Sequence, residues 1–282
     1  MTDTTQTTAE TPSGKGAGDE NFPVGSIFLP ARLRPHVAVF YAYARAIDDV
    51  ADNPKLAPDE KVTRLEGFDR AIQGLDDDPA FAKAHRIRES LAETGVTIQH
   101  CRDLISAFKQ DAVKHRYDDW ADLIDYCDRS AAPVGRYLLD LHGEHRSGFP
   151  ASDALCNVLQ VLNHLQDCQD DYRTLDRVYL PRDWMKAAGV SVAALNEPAA
   201  SSGLRQVLDR CLDGVDDLLP LARTLPAQLT SRRLAMESAA IIRIAEKLSK
   251  HLRRRDPVAT RVQLSKLEFL YCCIRGGLAG CF

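Results

Sequence analysis

From Pro35 onward, large apolar residues return at intervals of three and four instead of alternating, as in Val37, Tyr41, Ala44 and Ile47 and again in Leu155, Val158, Leu162 and Leu165. That is the period of helices with one buried face, and alternating strand-like runs are scarce throughout. Turn-forming clusters interrupt the pattern at Asn53-Pro54, Asp76-Asp77-Asp78-Pro79, Gly148-Phe149-Pro150 and Asn196-Glu197-Pro198. Proline lacks the amide hydrogen a helix needs and disfavours helical geometry in the residue before it, so each cluster marks a boundary. The pattern predicts an all-α protein of about eight to ten helices.

Residues 1 to about 20 follow a different rule: they are rich in Thr, Gly and acids and nearly free of large apolar groups. Such a segment cannot offset its own ordering entropy and is expected to be a disordered tail, leaving residues 21–282 as one domain. The GKGAG run inside it lacks the strand and helix that a phosphate-binding loop needs.

Composition adds exclusions. Apolar residues at 45% and charged residues at 27% suit a globular chain with a sizeable core. A formal net charge of -4 lacks the basic excess of a nucleic-acid binder. The eight cysteines form no CxxC pair and have no zinc-like His spacing, so they read as reduced core thiols. No apolar run approaches the roughly 18 residues of a membrane span, and a soluble, cytoplasmic protein is expected. The run Lys250-His251-Leu252-Arg253-Arg254-Arg255 reads first as a solvated helix end and second as a contact for anionic lipid, which would put the protein at the periphery of the inner membrane.

Two acidic segments carry the candidate chemistry. In the first, Tyr41, Arg45, Asp48 and Asp52 are spaced 4, 3 and 4, which gathers them within an arc of about 60° on one helix face. In the second, predicted as one helix from Gln160 to Arg173, the residues Gln160, Asn163, Asp167 and Asp171 are spaced 3, 4 and 4 and form a stripe about 80° wide. Carboxylates four apart on a helix repel. Were the two stripes to face each other across a cavity, each pair near 4 Å would cost about 4 kcal/mol at an effective dielectric of 20. Cations are then required. Hard oxygen ligands without His or thiolate suit Mg²⁺, which shares its coordination with water and substrate phosphates, and so a diphosphate substrate is implied. A solvated surface face would carry alternating acids and lysines, whereas these stripes carry Tyr41, Arg45, Gln160 and Asn163 beside their acids.

In these residues the chain resembles the squalene/phytoene synthase family, the head-to-head branch of the trans-isoprenyl diphosphate synthases. The likeness runs from about Asn21 to Leu270. It takes in Phe28-Leu29-Pro30, the YxxxRxxDDxxD pattern from Tyr41 to Asp52, Phe108 to Asp111, Arg116-Tyr117, Tyr126-Cys127 and Val134-Gly135. It continues through NxxxDxxxD from Asn163 to Asp171, Arg177 to Pro181, Asp256-Pro257 and Arg261 to Lys266. The resemblance implies a single-domain helical bundle around a central cavity. It implies that Asp48, Asp52, Asp167 and Asp171 hold Mg²⁺ with help from Asp49 and Asn163, that Arg45 binds diphosphate, and that Tyr41 and Gln160 line the cavity. Arg261 is either a diphosphate contact or a surface arginine.

Three departures narrow the expectation. The family's Ser-Phe near the start is replaced by Glu20-Asn21-Phe22-Pro23-Val24, its Ala-Gly-x-Val-Gly by Ser130-Ala131-Ala132-Pro133-Val134-Gly135, and its Leu-Arg-Asp by Leu165-Gln166-Asp167. These resemble the hydroxysqualene synthase branch of bacterial hopanoid pathways. The implied reaction is Mg²⁺-dependent ionisation of presqualene diphosphate, rearrangement of the cation and capture by water, without NADPH. Asn21, Gln166 and the Ala131-Ala132-Pro133 segment are the expected water-capturing features, with Pro133 inside a helix either opening a kink that holds one ordered water or serving only as a packing kink. Alternatives are head-to-head condensation of two farnesyl diphosphates to presqualene diphosphate or squalene, and, outside enzymes, a degenerate assembly factor of the same fold. Nothing in the sequence bears on oligomeric state.

Overall fold

The structure is a computed structural model that describes residue 9 and residues 29–279, with side chains to residue 276. The disordered-tail expectation, apart from Ala9, and Asn21 lie outside the described residues. The described chain is all-α: thirteen α-helices and three short 3₁₀ helices, more than the eight to ten expected. The excess comes from short helices and from breaks where the sequence pattern runs on unbroken. The strand content is nil among the described residues, with one isolated bridge between Arg116 and Val178. No described helix is long and apolar enough to cross a membrane.

Two compact units divide the chain between Val113 and Lys114. The first contains α1 (Arg34–Asp52), α2 (Pro58–Ile72), α3 (Ala82–Thr94) and α4 (Gln99–Asp111). Pro35 sits in the first turn of α1, where its missing amide costs nothing, and Asn53 turns extended ahead of Pro54 to end the helix. The Asp78 side chain accepts from the Ala80 amide and caps the 3₁₀ turn Pro79–Phe81. Val37, Phe40, Tyr43, Ile47 and Val50 form the buried face of α1. Tyr43 meets Phe68 edge-on at 6.3 Å, and Phe68 meets Phe81 at 5.2 Å.

The second unit contains α5 (Trp120–Ser130), α6 (Ala132–His142), α7 (Phe149–Gln166), α8 (Cys168–Leu175), α9 (Arg182–Ala187), α10 (Ser202–Ala222), α11 (Leu225–Gln228), α12 (Arg232–Arg254) and α13 (Lys266–Ala279). Helix α7 is the hub and packs against α5, α6, α10 and α12. Its eighteen residues bury Ala151, Ala154, Leu155, Val158, Val161, Leu162 and Leu165, a wide apolar arc of the kind a helix needs when it is enclosed on several sides. Gly135 sets how near α6 lies: a Cβ there would fall 2.3 Å from Ser152 Oγ and 2.7 Å from Cys156 Sγ. The α6–α7 approach therefore requires glycine.

The expected kink at an internal proline is not what forms. Helix α5 ends at Ser130, Ala131 leaves helical geometry at φ -121°, and Pro133 lies in the first turn of α6. A proline in that position loses no helical hydrogen bond, so it starts a helix and frees no carbonyl within one. The cysteine reading holds for the described thiols, which are all free, with Cys101, Cys127, Cys168, Cys211 and Cys272 buried.

Candidate active site

In the first unit, α1 is continuous through its acidic stripe. Arg45 donates from Nη1 to Asp48 at 2.5 Å and from Nη2 to Asp49 at 2.8 Å. Both pairs span one helical turn, so the positive charge is supplied by the same local spacing that gathers the acids. Burial raises the Asp48 carboxyl well above the ordinary range. Asp52 raises it further, Arg45 pulls it back, and Asp111 and Asp49 add smaller upward pushes. Asp111, at the end of α4 and only 2% exposed, has no role in the sequence reading beyond its place in the Phe108–Asp111 motif. Its proximity to Asp48 depends on α1 packing against α4.

In the second unit the predicted single helix is two. Helix α7 ends at Gln166 and α8 begins at Cys168, with Asp167 between them at φ -105° and ψ 9°. The hydrogen-bond ladder nevertheless carries across: the Asp167 amide donates to Asn163 O at 3.0 Å, and the Asp171 amide to Asp167 O at 2.8 Å. The polar stripe thus survives the break. Two contacts from one distant segment hold the joint. Arg261 pairs with Asp167 at 3.2 Å, and the Gln166 amide nitrogen donates to Val262 O at 2.5 Å. Gln166, expected at the substrate, is 3% exposed and spends that donor on the backbone. Arg261, left open between two roles, is a half-exposed partner of a stripe carboxylate.

Gln160 lies 3.2 Å from His164, nitrogen to nitrogen. The His164 ring stacks on Tyr179 with centroids 3.5 Å apart, and Tyr179 stacks on Tyr117 and tilts toward Tyr126. Burial, aided by the charge of Arg177, lowers His164 to about 3, so the ring is neutral at physiological pH. This aromatic cluster meets the second stripe at Gln160, through His164. Its tyrosines lie in quoted motifs, but nothing in their spacing signals that they meet.

Among the described residues, no group of three or more His, Cys, Asp or Glu forms a metal-holding cluster. The donor chemistry still fits Mg²⁺: Asp48, Asp49, Asp52, Asp167 and Asp171 offer hard oxygens, and Mg²⁺ needs only one or two carboxylates when water and phosphates complete its octahedron. Burial, ahead of the charge of Asp52, keeps the Asp48 carboxyl raised even beside Arg45, so a further cation at this carboxylate would favour its charged form.

The model of the squalene/phytoene synthase family matches residues 16–268. A hydroxysqualene synthase from Rhodopseudomonas palustris is 42% identical over 93% of this chain and 89% of its own length. One from Zymomonas mobilis is 41% identical over 92% and 87%. The crystal structure of squalene synthase HpnC from Alicyclobacillus acidocaldarius superposes with a TM-score of 0.70 at 32% identity, covering 82% of this chain and 87% of that one. A dehydrosqualene synthase crystallised with a ligand shares the fold at a TM-score of 0.77 and 20% identity, over 93% and 92%. With both acidic motifs intact on an all-α scaffold and the match running nearly end to end, the chain is an enzyme that belongs to the squalene/phytoene synthase family.

Proposed function

We propose that this enzyme converts presqualene diphosphate to hydroxysqualene in an Mg²⁺-dependent reaction without NADPH. The observation that carries the reading is the likeness, at 41–42% identity over about nine-tenths of each chain, to relatives named hydroxysqualene synthase. The intact Asp48/Asp52 and Asp167/Asp171 pairs argue against a degenerate assembly factor. Asp48, Asp49 and Asp52, and likewise Asn163, Asp167 and Asp171, would hold Mg²⁺, which would supply charge neutralisation for the leaving diphosphate.

The carbon–oxygen bond breaks with its electron pair leaving on diphosphate, and Arg45 takes up part of that charge by exchanging its hold on Asp48 and Asp49 for phosphate oxygens. The cyclopropylcarbinyl cation rearranges, a water oxygen donates an electron pair to it, and loss of a proton to solvent leaves the alcohol. Tyr41 and Gln160 contact the substrate, and neutral His164 sets the orientation of the Gln160 amide. Substrate and product are both lipids, so the reading includes cytoplasmic work with peripheral membrane contact.

The test is presqualene diphosphate with purified protein in ¹⁸O-labelled water, with and without NADPH. Labelled hydroxysqualene in both arms is expected. Squalene formed only with NADPH, or presqualene diphosphate accumulating from farnesyl diphosphate, would overturn the reading in favour of head-to-head condensation.

A further inference from the structure

Seven large apolar side chains are exposed among the described residues, and four of them, Leu267, Leu270, Tyr271 and Ile274, lie on α13. Their spacing of 3, 1 and 3 places them within an arc of about 100°. The opposite face is firmly seated. Glu268 accepts from His251 at 2.9 Å and lies 3.4 Å from Lys247, and Cys272 Sγ contacts Arg243 O at 3.7 Å. A Cβ on Gly276 would lie 2.3 Å from Ala240 Cα. Residues 268, 272 and 276 thus fix α13 against α12, and the apolar stripe is centred about 150° away from them. Lys266 and Arg275, both exposed, fall about 40° outside either edge of the stripe.

Charge singles out the same region. Residues 243–275 hold nine Lys and Arg against three Asp and Glu, in a chain whose net charge is -4. Each of the three acids is engaged: Glu246 by Arg223, Asp256 by the amides of Ala200 and Val258, and Glu268 as above. The basic run at the end of α12 contributes unevenly, because Arg253 is held by Asp213 and Asp216 at 2.8 and 2.7 Å.

We infer that α13 is an interfacial helix that lays Leu267, Leu270, Tyr271 and Ile274 into a bilayer carrying anionic headgroups, with Lys266 and Arg275 reaching the phosphates on either side. An apolar stripe bordered by long basic side chains, with an aromatic residue among its members, is the pattern that binds the headgroup boundary. A second copy of the chain is a weaker fit, since paired stripes would bring like-charged borders together. The inference extends the reading in which substrate and product are lipids, but its test uses no substrate and stands or falls separately.

The test is flotation of the full-length protein with phosphatidylcholine vesicles, with and without phosphatidylglycerol, at low and at about 1 M salt. Binding to the anionic vesicles that weakens with salt is expected. Leu270→Asp with Ile274→Asp should lower the partition coefficient by about a hundredfold. Lys266→Gln with Arg275→Gln should lower it about thirtyfold on anionic vesicles alone. Tyr271→Trp should blue-shift its emission on anionic vesicles, read by difference against Trp120 and Trp184. Unchanged melting temperatures show that the exposed substitutions leave the fold intact. Wild-type protein that floats with neither vesicle, binding indifferent to both double variants, or sedimentation showing a dimer that the aspartate variant dissociates would each overturn the inference.

Discussion

The two acidic stripes read almost alike as sequence, yet they are built differently. On α1 the helix is unbroken and the compensating cation, Arg45, lies three and four residues from its acids. At the α7–α8 joint the helix breaks at Asp167, and the cation is Arg261, 94 residues away. The first stripe is a product of helical periodicity. The second depends on a distant segment docking correctly, and Gln166 is the residue that fastens it. The same four-residue spacing of Asp48–Asp52 and Asp167–Asp171 therefore conceals one locally determined site and one assembled by tertiary contacts.

The largest effect should be common to both stripes. Asp48→Asn and Asp167→Asn should each lower kcat by about a thousandfold with the helical circular dichroism retained. Near-normal turnover in either would remove that residue from the metal set. The second effect separates them. Arg45→Gln strips two carboxylates of their partner and should cost about a hundredfold in kcat, whereas Arg261→Gln at a half-exposed pair should cost about tenfold or less. Equal losses measured side by side would mean that local bracing confers nothing special.

Stability should show the reverse asymmetry. Gln166→Leu leaves the Val262 carbonyl without its buried donor and should lower the unfolding free energy by about 1–3 kcal/mol in urea titration. A neutral result would show that the joint is held by other contacts. Acid should strain the same region through His164. Its folded value of about 3 lies below the unfolded value of about 6.5, so between them the unfolded state binds more protons and stability falls as pH falls. Unfolding free energies at pH 7 and pH 5 should differ by about 1–2 kcal/mol from this group, and His164→Phe, which keeps the ring stacking, should flatten that slope. The smallest effect belongs to α1: without Mg²⁺, Asp48→Asn should raise Tm by about 2 °C by removing a partly buried repulsion. A fall in Tm would mean that the Arg45 contact outweighs the repulsion from Asp52.

How much of this was legible depends on sequence separation. Helical class, the α1 stripe, the Asn53-Pro54 stop and the Gly148-Phe149-Pro150 start all arise from interactions within about one turn, which the order of residues encodes directly. The motifs of Asn163–Asp171 and Tyr41–Asp52 were also enough to suggest the family to which the chain belongs. By contrast, Pro133 could open a helix or bend one, and only the departure of Ala131 from helical geometry decides between them.

Asp111 beside Asp48, Val262 under Gln166, and Tyr179 against His164 bring together residues 15 to 96 positions apart. No periodicity links such positions, because their proximity is a property of how helices stack and not of any one helix. The exposed face of α13 belongs to the same class. Its four apolar residues share one side of the helix, and that side faces outward because Glu268, Cys272 and Gly276 hold the other against α12. Local order along this chain determined which side chains share a face. Tertiary packing alone decided which faces are buried, which carboxylates gain a cation, and which stripe is left for an outside surface, because burial and desolvation depend on neighbours the chain reaches only after it folds.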